Sequence, residues 1–325
     1  MAGLRATERL EERTLLLARV ASLYHELGMT QQEIAREVGA SRSAVSRLLT
    51  EAREQGIVEI KICHPLARSP LLEQSLKERF SLKGARVLAG QGLAYEEMVR
   101  RLGSLAAEYL GEQLYAGAVL GLTWGRAVSA VVRAMRRPGA FAVDVVQLAG
   151  SIGRMGPERD GLELARSLAA VLGGRCFYMR APLIVRTPEL CRALLEDPEL
   201  QETLEMGAKA DFAIAGIGAV VADHSTSVEA GYLTAQALAE LAAGGAVGDV
   251  CSRYFDVQGR ECPVELNERV VGLSLERLRS IPCVVGVAGG AWKVQAVLGA
   301  LRGRLVHVLV TDRATAESLL RYPLV

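Results

Sequence analysis

Apolar residues recur along this chain with two spacings, and the change between them divides it. Up to residue 62 they recur at three and four, the spacing of one helix face. Leu15, Leu16, Val20, Leu23 and Tyr24 mark a first amphipathic helix, Ile34, Ala35 and Val38 a second, and Val45, Leu48 and Leu49 a third. Ile57–Ile62 then reads as a strand. His64–Pro70 carries two prolines and no pattern, as a linker does. From Leu71 on, short apolar runs alternate with longer amphipathic ones. The runs predict strands at Ala85–Ala89, Val119–Leu122, Val143–Leu148, Phe212–Gly216, Cys283–Ala288 and Leu305–Val310. Helices are predicted between them, among them Tyr95–Leu110, Leu162–Leu172 and Leu233–Ala243. Alternating β and α elements imply a mostly parallel sheet covered on both faces. The expected organisation is residues 1–63, a linker at 64–70, and a larger α/β domain at 71–325.

The segment Thr30–Leu49 adds local chemistry to its pattern. Thr30 and Glu33 have capping-box spacing, so a helix can start at Gln31. Gly39 suits a sharp stop, and Ser41 is a good N-cap for the next helix. The polar face of that helix carries Arg42, Ser43, Ser46 and Arg47, small polar groups and cations suited to reaching base edges in a major groove. With the preceding helix and the Ile57–Ile62 strand as a wing, the unit reads as a winged helix-turn-helix. The candidate DNA-binding residues are Thr30, Gln31, Ser41, Arg42, Ser43, Ser46 and Arg47. A helical hairpin used only for packing is the plainer alternative. Residues 1–62 contain nine basic and nine acidic residues, so any cationic footprint is local to Arg42 and Arg47. Pairing in an oligomer would add affinity.

Composition narrows the class. The chain has 325 residues, half of them hydrophobic, and a formal net charge of +1. That fits a winged helix plus one large core and argues against a polyanion-coating protein. No apolar run approaches the roughly 20 residues of a membrane span, and no signal peptide is evident. The six cysteines form no CxxC pair and no zinc-like spacing with histidine, as expected of reduced thiols in a cytoplasmic protein. No metal or cofactor is expected.

Ligands of parallel sheets bind at the carboxyl ends of the strands. Two loops there hold glycines before a helix, a setting that favours an anion. The first is Gly121-Leu122-Thr123-Trp124-Gly125, where Thr123 adds a hydroxyl. The second is Ala288-Gly289-Gly290-Ala291-Trp292-Lys293. A cation in a helix's first turn opposes the helix dipole unless an anion lies between, which singles out Lys293. Gly248–Gly259 holds two acids in glycine-bounded loops. Asp256 is the better partner for sugar hydroxyls, whereas Asp249 could cap a turn. Ala210–Gly218 reads as a core strand with a close-approach turn, mainly structural. None of the four histidines, His25, His64, His224 and His307, lies in a candidate ligand loop.

In order along nearly the whole chain, TQQEIAREVGASRSAVSRLLTEAREQGIVEIKI, GLTWG, VVQLAGSIG, ADFAIAGIG, GDVCSRYFDVQG and VVGVAGGAWKVQAVLGALRGRLVHVLVTD resemble the SorC-type family of bacterial sugar-responsive transcriptional regulators. The resemblance implies a DNA-binding domain joined to a Rossmann-like effector domain similar to sugar-phosphate isomerases. It implies a dimer or tetramer on paired operator sites, with DNA affinity set by a sugar or sugar phosphate, and a repressor as the expected sense. Carried onto this chain, it places Gly121, Thr123, Trp124, Gly125 and Lys293 at the phosphate and Asp256 at the hydroxyls, and borders the pocket with Gln147; Gly289 and Gly290 join the candidate effector site from the second glycine loop. Some relatives form a Schiff base through a lysine. No lysine lies between Gly121 and Gly207, which argues against such an adduct in that part of the pocket.

Two other functions compete. A sugar-phosphate isomerase fused to a DNA-binding unit needs a general base and oxyanion stabilisation. Asp249, Asp256 and Lys293 could supply those groups, but no second acid–base constellation accompanies them. A purely architectural DNA protein leaves the α/β domain without a purpose. The expectation is therefore a non-enzymatic, metabolite-controlled regulator of carbohydrate genes.

Overall fold

The structure, a computed structural model, describes residues 2–58, 67–90, 92–137, 139, 141–153, 156 and 159–323, with only the helical backbone of residues 2–12. The chain separates into two compact units, Met1–Pro65 and Leu66–Val325.

The first unit holds α1 (Ala2–His25), α2 (Gln31–Glu37) and α3 (Arg42–Glu54). Thr30 and Glu33 form the expected capping box, and the Ser41 side chain accepts the Ala44 amide. The core beneath them is Leu17, Val20, Ala21, Leu23, Ile34, Ala35, Val45, Leu48, Leu49 and Ala52. One residue of the predicted face is wrong: Leu15 is 71% exposed, because Leu17 takes the inward position. Ile57 and Val58 pack against this core. The rest of the expected wing strand, and Cys63, lie outside the described residues.

The second unit runs α4 (Pro70–Phe80), β1 (Gly84–Leu88), α5 (Tyr95–Gln113), β2 (Val119–Leu122), α6 (Arg126–Ala134), β3 (Val143–Gln147), α7 (Gly161–Leu172) and β4 (Gly173–Phe177). It continues through α8 (Pro188–Leu195), α9 (Pro198–Ala208), β5 (Phe212–Gly216), β6 (Gly218–Ala219), α10 (Thr226–Glu229), α11 (Ala235–Ala243), β7 (Ala246–Val250) and β8 (Arg253–Asp256). It closes with α12 (Glu265–Glu268), α13 (Leu275–Arg279), β9 (Cys283–Val287), α14 (Val294–Arg302), β10 (Val308–Asp312) and α15 (Arg313–Leu319). Among the described residues, seven parallel strands form one sheet, in the order β1-β10-β9-β5-β2-β3-β4. Successive strand residues enter opposite cores, as a sheet covered on both faces requires. Phe212, Ile214, Val285, Val308 and Val310 pack with α5, α6 and α7. Ala213, Val284 and Leu309 pack with α4, α14 and α15.

Three parts of this unit differ from expectation. β4 is a glycine-led, half-exposed edge strand with no apolar run to announce it. The predicted strand at Leu305–Val310 begins at Val308, because the Leu305 amide still bonds the Ala300 carbonyl at the end of α14. The glycine-bounded segment 248–259 is no loop: it supplies β7 and β8, which with β6 make a small antiparallel sheet. The end of the expected linker also belongs here. Ser69 donates to the Val87 carbonyl, Ala89 donates to the Ala67 carbonyl, and Arg68 pairs with the buried Glu73.

The strand order sets up the site. From β2 the chain proceeds to β3 and β4 on one side, whereas β5 leads to β9 and β10 on the other. The neighbours β2 and β5 therefore flank a topological switch point, where the loops leaving their carboxyl ends part and open a crevice.

Candidate functional site

That crevice is occupied by a cavity. The β2–α6 loop contributes Thr123, Trp124, Gly125 and Arg126, the turn after β5 contributes Gly216–Ala219, and the β9–α14 connection contributes Lys293. Asp249 of β7, Cys251 and Ser252 at the β7–β8 tip, His224–Ser227 and Tyr95 complete the wall.

Local geometry explains why these groups converge. Gly125 has φ 104, open to glycine and costly for other residues, and its amide donates to the Arg159 carbonyl. Thr123 is 3% exposed and lines the cavity. Gly218 lies opposite Asp249 in the β6–β7 pair, and a Cβ on Gly218 would sit 1.9 Å from Asp249 Oδ1. The Gly-Ile-Gly turn is thus what admits that carboxylate. Cys251 (φ 54) and Ser252 (φ 63) both take the left-handed conformation that a two-residue hairpin turn demands, strained for residues with a side chain. Trp124 Nε1 donates to Ser252 Oγ at 3.0 Å and ties this turn to the β2–α6 loop.

Two of its ionisable groups, Lys293 and Asp249, act on each other. Lys293 is buried in a short 3₁₀ turn before α14, and its Nζ donates to the Ile217 carbonyl at 2.7 Å. Burial pulls its pKa down to about 8, against the attraction of Asp249. Burial pushes Asp249 up to about 6, against the opposing pull of Lys293 and the Ser252 amide. At the rim, Arg126 pairs with Glu229 at 2.5 Å and Arg159 pairs with the same carboxylate at 2.6 Å. His224 stacks on Trp292 at 4.0 Å, beside Tyr95. The cavity wall therefore brings together hydroxyl-bearing side chains, the start of α6, Arg126, Lys293 and the half-buried Asp249, groups that suit a small polyhydroxylated or anionic molecule. Among the described residues, no group of three or more His, Cys, Asp or Glu is placed to hold a metal.

The structure gathers only some of the effector-site residues expected from sequence. Thr123, Trp124, Gly125 and Lys293 meet at the cavity. Gly121 lies within β2, where a Cβ would strike Leu148 at 2.8 Å, so its smallness serves packing. Gln147 is fully buried, and its side chain accepts from the Met179 amide rather than facing the cavity. Asp256 closes the turn after β8, accepting from the Gln258 and Arg260 amides and pairing with Arg260. The Gly289-Gly290 loop does receive an anion, but it is the chain's own: Gly290 donates to the Asp312 carboxylate at 2.8 Å. Sequence reading also missed residues that line the cavity. Nothing in the sequence separates His224 from the other histidines, Tyr95 and Arg126 open the helices α5 and α6, and Ser225–Ser227 arrive with the short α10, so no motif marks any of them as a ligand residue.

In the first unit, Gln31, Arg42, Ser43, Ser46 and Arg47 share one shallow surface depression. Thr30, Gln31 and Arg42 share a second with Tyr24 and Gln32. Arg13 and Arg19 are held by Glu51 and Glu37, whereas neither Arg42 nor Arg47 has an ion-pair partner among the described residues. The Ser41 hydroxyl caps α3, which occupies it with the helix.

Residues 64–321 match the Sugar-bind family of sugar-binding domains, and residues 9–65 match the Crp-like helix-turn-helix domain. The chain is 32% identical over 308 residues to the sorbitol operon regulator of Klebsiella pneumoniae, covering 94% of this chain and 98% of that one. The full-length crystal structure of that regulator, SorC, superposes with a TM-score of 0.72 at 31% identity, covering 95% of this chain and all of the other. The chain belongs to the SorC-type family of transcriptional regulators. The deoxyribonucleoside regulator of Bacillus subtilis is similar to this SorC-type chain to the same degree, 32% over 308 residues, covering 95% and 98%. These relatives are regulators, not enzymes, and the packing-only and isomerase alternatives fall with that. Among the described residues, no helix is long and apolar enough to cross a membrane.

Proposed function

We propose that this regulator takes a sugar or sugar phosphate in the cavity between β2 and β5, and that occupancy sets its affinity for operator DNA. The observation that carries this reading is the site's composition at the topological switch point. Thr123 and the start of α6 line the cavity, a setting that suits an anionic oxygen, and Asp249 in the same wall offers an acceptor for hydroxyls. Relatives named for sorbitol and deoxyribonucleosides support this class of effector. Arg42, Arg47, Ser43, Ser46 and Gln31 are the candidate readers of base edges, with Thr30 and Ser41 holding their helices in place. Because the DNA-binding unit carries balanced charge, we propose a homo-oligomer, dimer or tetramer, as the DNA-binding form.

The test is a thermal-shift panel of free and phosphorylated sugars, followed by operator titrations with and without each hit. A ligand at 100 times its Kd stabilises the folded chain by about 2.7 kcal/mol. Thr123→Val, which keeps the side chain's shape, should weaken phosphorylated hits selectively, and Asp249→Asn should weaken both kinds. A hit that both variants bind as wild type does would remove the cavity as its site. A hit that leaves operator affinity unchanged would remove the regulatory coupling.

A further inference from the structure

Arg126 is the first residue of α6 and lines the cavity. It is held by Glu229, yet its Nε is buried with no hydrogen-bond partner. An arginine so placed has donor capacity that its carboxylate partner does not use. Glu229 in turn is shared, bonding Arg126 through one carboxylate oxygen and Arg159 through the other. The Glu229 side chain is 42% exposed, so water can stabilise it if one contact is lost. It rides on α10, a four-residue helix, next to Ser225, Thr226 and Ser227 of the cavity wall. Moving so short an element breaks few hydrogen bonds.

We propose that the Arg126–Glu229 pair is an exchangeable latch: an anionic group of the ligand replaces Glu229 as the partner of Arg126, and Glu229 stays on Arg159. This rests on the effector-cavity reading above and adds the residue that reads the anion and the carboxylate that competes with it. The competition sets the affinity. An ion pair with one partner open to water is modest in strength, whereas a phosphoryl group offers Arg126 more charge and acceptors for both its Nε and its terminal nitrogens. The exchange also frees one end of Glu229, so the α10 wall is held differently in the filled and empty states.

The chain's two tryptophans, Trp124 on the wall and Trp292 stacked on His224, report on the cavity by their own fluorescence. The full-length protein is titrated with inorganic phosphate at constant ionic strength. Glu229→Gln, which removes the competitor, should tighten phosphate binding about fivefold or more, and Arg126→Met should weaken it about tenfold or more. Arg159→Met should weaken it about threefold, because Glu229 then depends on Arg126 alone. A purely structural role for Glu229 predicts weaker binding in Glu229→Gln, and either that result or an unchanged affinity overturns the latch. If Arg126→Met does not fold, Arg126→Lys keeps the charge without Nε, and wild-type affinity in it overturns the proposal. If phosphate leaves the fluorescence of every form unchanged while a neutral sugar alters it, the latch is overturned and the cavity reading stands. If neither alters it, the cavity reading falls as well.

Discussion

Lys293 and Asp249 line the same cavity, and desolvation there drives both toward their neutral forms. Between about pH 4 and 6 the folded chain holds a proton on Asp249 that the unfolded chain has released, so rising pH costs stability there. Above about pH 8 the folded chain has released the Lys293 proton that the unfolded chain keeps to about 10.4, so rising pH restores stability. The double variant Asp249→Asn, Lys293→Met should lack both slopes. Urea denaturation of the two proteins from pH 4 to 10 checks this, and parallel curves would show that the pair does not titrate so. Asp256 makes the opposite case, since its carboxylate is engaged by the turn it closes. Asp256→Ala should cost about 1–2 kcal/mol in urea denaturation while leaving effector response intact. A lost response at unchanged stability would return Asp256 to the ligand.

The elements most legible in sequence were those whose pattern and end signals agree. Phe212–Gly216 and Val119–Leu122 were read at their full lengths, and α2 starts at the capping box that Thr30 and Glu33 announce. The strands β4, β6, β7 and β8 were missed because they are short, glycine-rich or half-exposed, and nothing in their side-chain alternation separates them from loops. On α3, the N-cap and the proposed base-reading positions can be tested apart. Ser41→Ala should lower stability by about 1 kcal/mol through the lost cap. Arg42→Ala or Arg47→Ala should leave stability alone and cost about 1–3 kcal/mol on the operator if that residue reads a guanine. Fluorescence anisotropy on operator and random duplexes separates base reading from phosphate contact, because an equal loss on both reassigns the residue to the backbone.

On the scale of the whole molecule, the two units divide the parts of a SorC-type regulator, one carrying the helix-turn-helix and the other the cavity. A symmetric dimer needs half-sites on one face of the duplex, about 10 bp or a multiple apart. Inserting about half a helical turn between half-sites should weaken binding strongly, and restoring a full turn should recover it. Affinity indifferent to the insertion would exclude a symmetric dimer as the DNA-binding form.

The sequence by itself determined the two-unit plan, the helix-turn-helix with its caps, and the alternation that makes a parallel sheet. Each of these is written in the periodicity and chemistry of neighbouring residues, and local hydrogen bonding enforces it. Only the tertiary structure decided which loops share a cavity. That depends on strand order, which brings the ends of β2 and β5 together and carries the loop after β9 to the same edge. It also decided what each candidate side chain does. Asp312 supplies the anion for the Gly289-Gly290 loop, Gln147 and Asp256 are engaged by backbone amides, and Arg126 and Asp249 reach the cavity. A carboxylate or a glycine has the same letter whether it meets a ligand or its own chain, and only its partners in space distinguish the two.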